Sequence, residues 1–121
     1  MGHLKSESEV QQLIQLEAAN QGCILMRNNS GSFVDKGGRH VRFGLNNLSK
    51  EQNEHIKSSD LIGIWKGRFV AIEVKKEGWV FNPKDKREVA QNAFIEWIRM
   101  NGGIAGFCSS VQDLHRLLAG Y

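Results

Sequence analysis

Two apolar runs, DLIGIW from Asp60 to Trp65 and RFVAIEVK from Arg68 to Lys75, flank the dipeptide Lys66-Gly67. Runs of this length, rich in branched and aromatic residues, read as strands, and a dipeptide ending in glycine between them reads as a β-hairpin turn. No other part of the chain restricts the fold so tightly, because the turn sets the register of every pair beyond it. Trp65 then faces Arg68, Ile64 faces Phe69, Ile62 faces Ala71 and Asp60 faces Glu73; a four-residue turn with the same centre keeps that register. Directly opposed residues have Cβ atoms about 5 Å apart, so the two carboxylates are expected side by side on one face. Lys75 follows Glu73 by two residues and shares that face, since strand side chains repeat with period two.

Like charges opposed in a sheet destabilise it, and apolar neighbours worsen the conflict unless a cation binds between them. Paired carboxylates offer hard oxygen ligands suited to Mg²⁺ or Mn²⁺ and leave positions for water and a phosphate. Such a metal lowers the pKa of bound water, and a nearby lysine can position that water or neutralise developing charge. The competing reading is a salt-bridged surface patch on an ordinary hairpin. It supplies no reason for two acids to face each other.

Around this hairpin the chain reads as alternating helices and strands. Residues 6–20 carry Val10, Leu13, Ile14, Ala18 and Ala19 at helical spacing, opened by Ser6 or Ser8 and ended by Gly22. CILMR (23–27) is a short strand. Residues 28–48 form a long glycine-, asparagine- and serine-rich segment with one inner strand at RHVRF. Ser49 and Gln52 suggest a capping box for a short polar helix to about Lys57. Asn82 is expected to cap, and Pro83 to open, a helix running to about Met100, with Ala90, Ala93, Phe94, Trp97 and Ile98 as its apolar stripe. Trp79 and Phe81 are expected to pack under it. Gly102-Gly103 end it, IAGFC (104–108) is a further strand, and Ser109 or Ser110 starts a last helix with Val111, Leu114, Leu117 and Leu118. Strands flanked by helices in this order predict an α/β sandwich with a mixed sheet covered on both sides.

A length of 121 residues suits one domain, taken as 1–121, with a single catalytic unit. The net charge of +3 and pI near 9.0 lean toward a polyanionic partner without demanding one. No stretch has the length or apolarity of a membrane span, and the N-terminus lacks a signal-peptide core, so no membrane partner and a cytoplasmic location are expected. Cys23 and Cys108 sit in apolar runs and read as buried free thiols, and the histidines have no zinc-ligand spacing. Any metal here is expected on oxygen ligands.

The pattern Ser59-Asp60 followed by Glu73-Val74-Lys75 resembles the PD-(D/E)XK nuclease signature, an acid on one strand and E-x-K on the next. The wider layout is similar to stand-alone VRR-NUC domains of phages and bacteria. Its parts are the early Ser8-Glu9-Val10, then Arg27-Asn28-Asn29 with Ser30-Gly31 after the first strand, the two central strands, Gln91 near the start of the following helix, and a Gly-Gly turn before a strand and a short helix. The likeness runs from about Ser6 to Leu118. It departs at Ser58-Ser59, where relatives usually carry glycine and proline.

The resemblance implies a restriction-endonuclease-like α/β sandwich with a central mixed sheet flanked by helices. It also implies roles. Asp60 and Glu73 would bind Mg²⁺ or Mn²⁺, with the Val74 carbonyl completing the shell. Lys75 would be the catalytic lysine; Glu9, with Glu7 as its competitor, would be an acid reaching in from the first helix, and Gln91 would approach from the later one. Arg27, Asn29, Lys36, Arg39, Arg42 and Lys76 are candidate contacts to nucleic acid; Lys36, Arg39 and Arg42 stand out because their glycine-rich loop could close over a substrate. The expected activity is endonucleolytic hydrolysis of DNA, selective for branched or junction structures in replication, repair or recombination, by a homodimer in a bacterial or phage-infected cell. The alternative is a non-catalytic nucleic-acid-binding or assembly module on the same fold.

Overall fold

A computed structural model describes residues 2–121 of the protein. Its elements run α1 (Glu7–Asn20), β1 (Ile24–Arg27), β2 (Gly31–Val34), β3 (His40–Phe43), α2 (Lys50–Asn53), β4 (Leu61–Trp65), β5 (Arg68–Val74), α3 (Lys86–Met100), β6 (Ile104–Cys108) and α4 (Val111–Leu118). The main sheet has the order β1-β4-β5-β6. β4 is antiparallel to both β1 and β5, while β6 lies parallel to β5. The parallel pair requires a crossover, which α3 provides. The sheet is therefore mixed, as expected.

The β4–β5 register follows the turn. Trp65 pairs with Arg68, Ile64 with Phe69, Ile62 with Ala71 and Leu61 with Ile72. Lys66 and Gly67 both have positive φ, 51° and 76°, the conformation that a twist-matched two-residue hairpin needs and that glycine supplies without strain.

Alternation then sorts side chains between two cores. Val70, Ile72 and Val74 of β5 join Leu61, Trp65 and Cys108 against α1 and α4, through Val10, Ile14, Leu114 and Leu118. Ala71 and Ala105 face the other way and are covered by Phe94, Ile95 and Ile98 of α3. Glu73 belongs to this second face and lies just beyond its apolar part. The two cysteines are buried free thiols. None of the described helices is long and apolar enough to cross a membrane.

Several local expectations change. Ser6, not Ser8, caps α1, and Glu9 closes a reciprocal capping box with it. The segment expected to be mostly irregular holds a two-stranded ribbon, β2 paired with β3 from Gly31↔Phe43 to Val34↔His40. The inner strand expected at RHVRF is β3, while its partner β2, GSFV, carries too little pattern to be seen alone. α2 ends at Asn53 rather than near Lys57. α3 starts at Lys86, because Asp85 accepts the Arg87 and Glu88 amides and caps it. Asn82 instead accepts the Lys84 amide and closes a turn with the Asp85 N–H. The buried stripe of α3 is rotated toward Gln91 and Ile95, leaving Trp97 52% exposed. Trp79 and Phe81 pack with Phe107 of β6, at centroid distances of 4.7 and 5.7 Å, and Phe107 itself packs against the cluster that α3 covers.

Candidate active site

Beyond Leu61↔Ile72 the β4–β5 ladder brings Asp60 opposite Glu73, and the two are joined by main-chain bonds. The Asp60 amide donates to Glu73 Oε2 at 3.2 Å, and the Val74 amide donates to Asp60 Oδ2 at 3.0 Å. Each carboxylate is thus held by the backbone of the other's strand, which fixes both with little rotamer freedom. Val74 itself is fully buried.

Gln91, buried on α3, links the acid to the lysine. Its Nε2 donates 2.8 Å to Glu73 Oε1, while its Oε1 accepts 2.8 Å from the Lys75 ammonium. Only this amide orientation satisfies both neighbours, since the carboxylate accepts and the ammonium donates. The Lys75 Nζ also stands 5.7 Å from the Trp79 ring centroid and 5.8 Å from that of Phe107. These rings form a wall that limits where the ammonium can go.

Glu73 carries the strongest electrostatic signal. It is 3% exposed, and burial first, then the Asp60 charge, push its carboxyl up to about 8, against a smaller opposing pull from Lys75. The donor set, two opposed carboxylates that line one cleft, fits a hard divalent ion. Among the described residues no cluster of three His, Cys, Asp or Glu side chains exists, so remaining ligands would be water, main-chain carbonyl or substrate oxygen.

The cleft beside this pair has a volume of about 220 Å³. It is lined by Asp60, Glu73 and Gln91, by Ser30, Ser32 and Arg42 of the ribbon, and by Asn46, Asn47, Asn53, Lys57, Ser58 and Arg87. A larger groove of about 820 Å³, lined by Leu45, Leu48, Phe69 and Trp97 among others, lies away from the carboxylates. Its walls are mostly apolar and include neither carboxylate, so the smaller cleft is the candidate site.

Asn28 braces the segments beside the cleft. Its amide N–H donates to the Asp60 carbonyl at 2.7 Å, its side chain donates to Ser58 Oγ and the Ser59 carbonyl, and its Oδ1 accepts the Leu45 amide. One residue therefore ties the end of β1, the base of the ribbon and the start of β4 together. The sequence pattern contained Asn28 but singled out its neighbours. At Ser59 the hydroxyl is buried and unpartnered, so this position gains nothing from a polar side chain.

The other expected residues divide plainly. Arg42 lines the cleft, whereas Lys75, Val74, Arg27, Asn29, Lys36, Arg39 and Lys76 do not; Lys75 is tied to it through its bond to Gln91. Arg39 pairs with Asp35 at 3.4 Å at the ribbon tip. Glu9 also lies outside the cleft lining: its Oε1 accepts from the Ser6 amide and contacts His3 Nε2, each at 3.1 Å. His3 foremost, with Ser6, holds its carboxyl at about 2. In this arrangement Glu9 serves the helix cap. Lys57 escaped the sequence reading because it precedes β4 in a stretch with no motif; only the bond from its amide to the Ala90 carbonyl, 3.0 Å, carries it to α3.

No protein-family model, curated protein or solved structure matches this chain.

Proposed function

We propose that the protein is a divalent-metal-dependent endonuclease that hydrolyses DNA phosphodiester bonds, on a PD-(D/E)XK-type α/β sandwich of the VRR-NUC kind. The single observation that carries this reading is the chain of contacts Asp60–Glu73–Gln91–Lys75, whose first three members line a cleft that Arg42, Lys57 and Arg87 also line. Two opposed acids, a fixed amide and a lysine are costly to place together without a metal and a reacting anion to reconcile them.

Asp60 and Glu73 would hold Mg²⁺ or Mn²⁺. When bound, such an ion would lower the pKa of a coordinated water and polarise a phosphoryl oxygen. Lys75 supplies an ammonium that donates to the incoming water or to a non-bridging phosphate oxygen, where charge builds in the transition state. Gln91 accepts from the ammonium and holds Glu73 Oε1 in place. Selectivity for branched or junction DNA, a part in replication, repair or recombination, and cytoplasmic action in a bacterial or phage-infected cell belong to the same reading.

A homodimer would present two such sites to two strands. Surface area supports it: the chain exposes 7843 Å², against roughly 6600 Å² for a compact monomer of its mass. Ile24, Met26 and Ile64, which α3 leaves uncovered on the sheet, are 65, 52 and 70% exposed.

The test is a cleavage panel of single-stranded, duplex, flap, nicked and four-way-junction DNA with Mg²⁺ and with Mn²⁺. Wild-type protein should cut at least one substrate only when metal is present. Glu73→Ala and Lys75→Ala should each lose about 10²-fold or more while keeping the wild-type circular dichroism spectrum. Binding of DNA without metal-dependent cutting of any substrate would replace the enzyme with a non-catalytic binding module.

A further inference from the structure

The cleft holds more positive charge than the chemistry at the carboxylates requires. Arg42 comes from β3, Lys57 from the segment after α2 and Arg87 from the first turn of α3. Three elements far apart in sequence thus bring a cation each to one cavity. None of the three forms an ion pair among the described residues; the paired bases are His3, Lys5, Arg39, Arg99, His115 and Arg116. Arg42 and Lys57 are half-buried, and placing unpaired like charges there is unfavourable unless an anion joins them. This is the carboxylates' conflict with its sign reversed. The three cations outnumber the two acids of the same lining, Asp60 and Glu73, and the excess calls for an anion.

The lining also says which anion. Its neutral members are mostly asparagine and serine, its only large apolar side chain is Leu45, and it includes no aromatic ring on which a base could stack. A volume of about 220 Å³ has room for about seven water molecules, enough for a phosphate group and its hydration. The ribbon wall is stapled in place: Asn47 Nδ2 donates to the Gly31 and Phe43 carbonyls at 2.8 and 2.7 Å, and Asn53 Nδ2 donates to Asn47 Oδ1 at 2.6 Å.

We propose that Arg42, Lys57 and Arg87 form a subsite for a backbone phosphate of nucleic acid adjacent to the bond held at Asp60 and Glu73, read without regard to base sequence. The subsite rests on the nuclease reading for its substrate, but its binding role needs no chemistry. Phosphate contacts set the position of the strand and carry no base information. They therefore give an affinity that depends on salt and not on sequence.

The experiment is fluorescence anisotropy of a labelled duplex titrated in EDTA at several salt concentrations, with single-turnover cleavage in Mg²⁺ run beside it. Wild type is compared with Lys57→Gln, Arg87→Gln, the double variant, and Lys66→Gln, which removes the same charge at the distant hairpin turn. Each contacted phosphate contributes about 0.9 to the slope of log affinity against log salt. The single variants should each lose part of that and the double variant close to all of it, equally on AT-rich and GC-rich duplexes, with Lys66→Gln unchanged. A double variant with the wild-type slope, or a loss confined to one base composition, overturns the subsite. If such a double variant accompanies a wild type that cleaves, the nuclease reading stands alone. If the slope falls as stated but no protein cleaves, the subsite stands and the nuclease reading fails.

Discussion

Glu73 is a carboxyl whose proton affinity reports on everything packed around it: burial and Asp60 raise it, Lys75 lowers it, and Gln91 bonds to one of its oxygens. Its value near 8 lies above the unfolded 4.5, so the folded state binds the proton more tightly than the unfolded state does. The stability this contributes is complete below pH 4.5 and is lost as pH rises to about 8. At about 1.4 kcal/mol for each tenfold change in proton affinity, the loss is of the order of 5 kcal/mol. Urea titration of metal-free protein should show stability falling from pH 5 to pH 8, and Glu73→Gln should flatten that fall; an unchanged slope in the variant would assign the dependence elsewhere. Gln91 makes a separate case. Gln91→Ala leaves a buried Glu73 oxygen without its partner and should cost about 1–3 kcal/mol. It should also cut cleavage by about tenfold or more, since Lys75 loses the acceptor that aims it. Retained activity at full rate would mean that the aromatic wall alone positions the lysine.

At the scale of elements, the hairpin and the ribbon do opposite things. β4–β5 packs its inner face against α1 and α4, with α3 covering β5 on the other side, and fixes the two acids by register. β2–β3 pairs only with itself, and its link to the main body runs through Asn28, Asn47 and the turn at Gly44. Gly44 has φ 98°, and a Cβ there would run into the backbone of Ser30 and Asn29. Gly44→Ala is therefore both conformationally strained and sterically blocked, at a cost of about 1–3 kcal/mol. The loss should be local: amide exchange should quicken across the ribbon, as at the Asp35–Arg39 bond, with β4–β5 amides as protected as in wild type. Equal loosening of both would mean that the ribbon is integral to the core.

For the whole molecule, the uneven cover on the α3 face matters most. α3 covers β5 and β6, and the β1–β4 half of that face retains Ile24, Met26 and Ile64 in the open. Apolar surface of this extent, next to an edge strand with free main-chain groups, favours association of like with like. Light scattering at micromolar concentration should give twice the 13.6 kDa chain mass, and Ile24→Asp with Met26→Asp should yield monomer. A clean monomer in the wild type, cutting a four-way junction at full rate, would remove the dimer from the proposal.

Local physics in the sequence determined the order of the main elements, the hairpin turn at Lys66-Gly67, and through it the register that sets Asp60 against Glu73 with Lys75 on the same face. These depend on turn geometry and on a period of two, both of which are encoded within a few residues. The ends of elements were less legible, because a cap is a competition: Asn82 and Asp85 can each close a helix, and Asp85 wins by accepting two amides. What only the tertiary structure decided involves residues far apart in the chain. Gln91 was expected near the site, yet its bridging of Glu73 to Lys75 depends on the rotation of α3 upon the sheet. The joining of Arg42, Lys57 and Arg87 in one cleft, the diversion of Glu9 into a helix cap and the central place of Asn28 likewise follow from packing between elements. Contacts across such distances are selected by how layers fit together, and no periodicity in the chain records them.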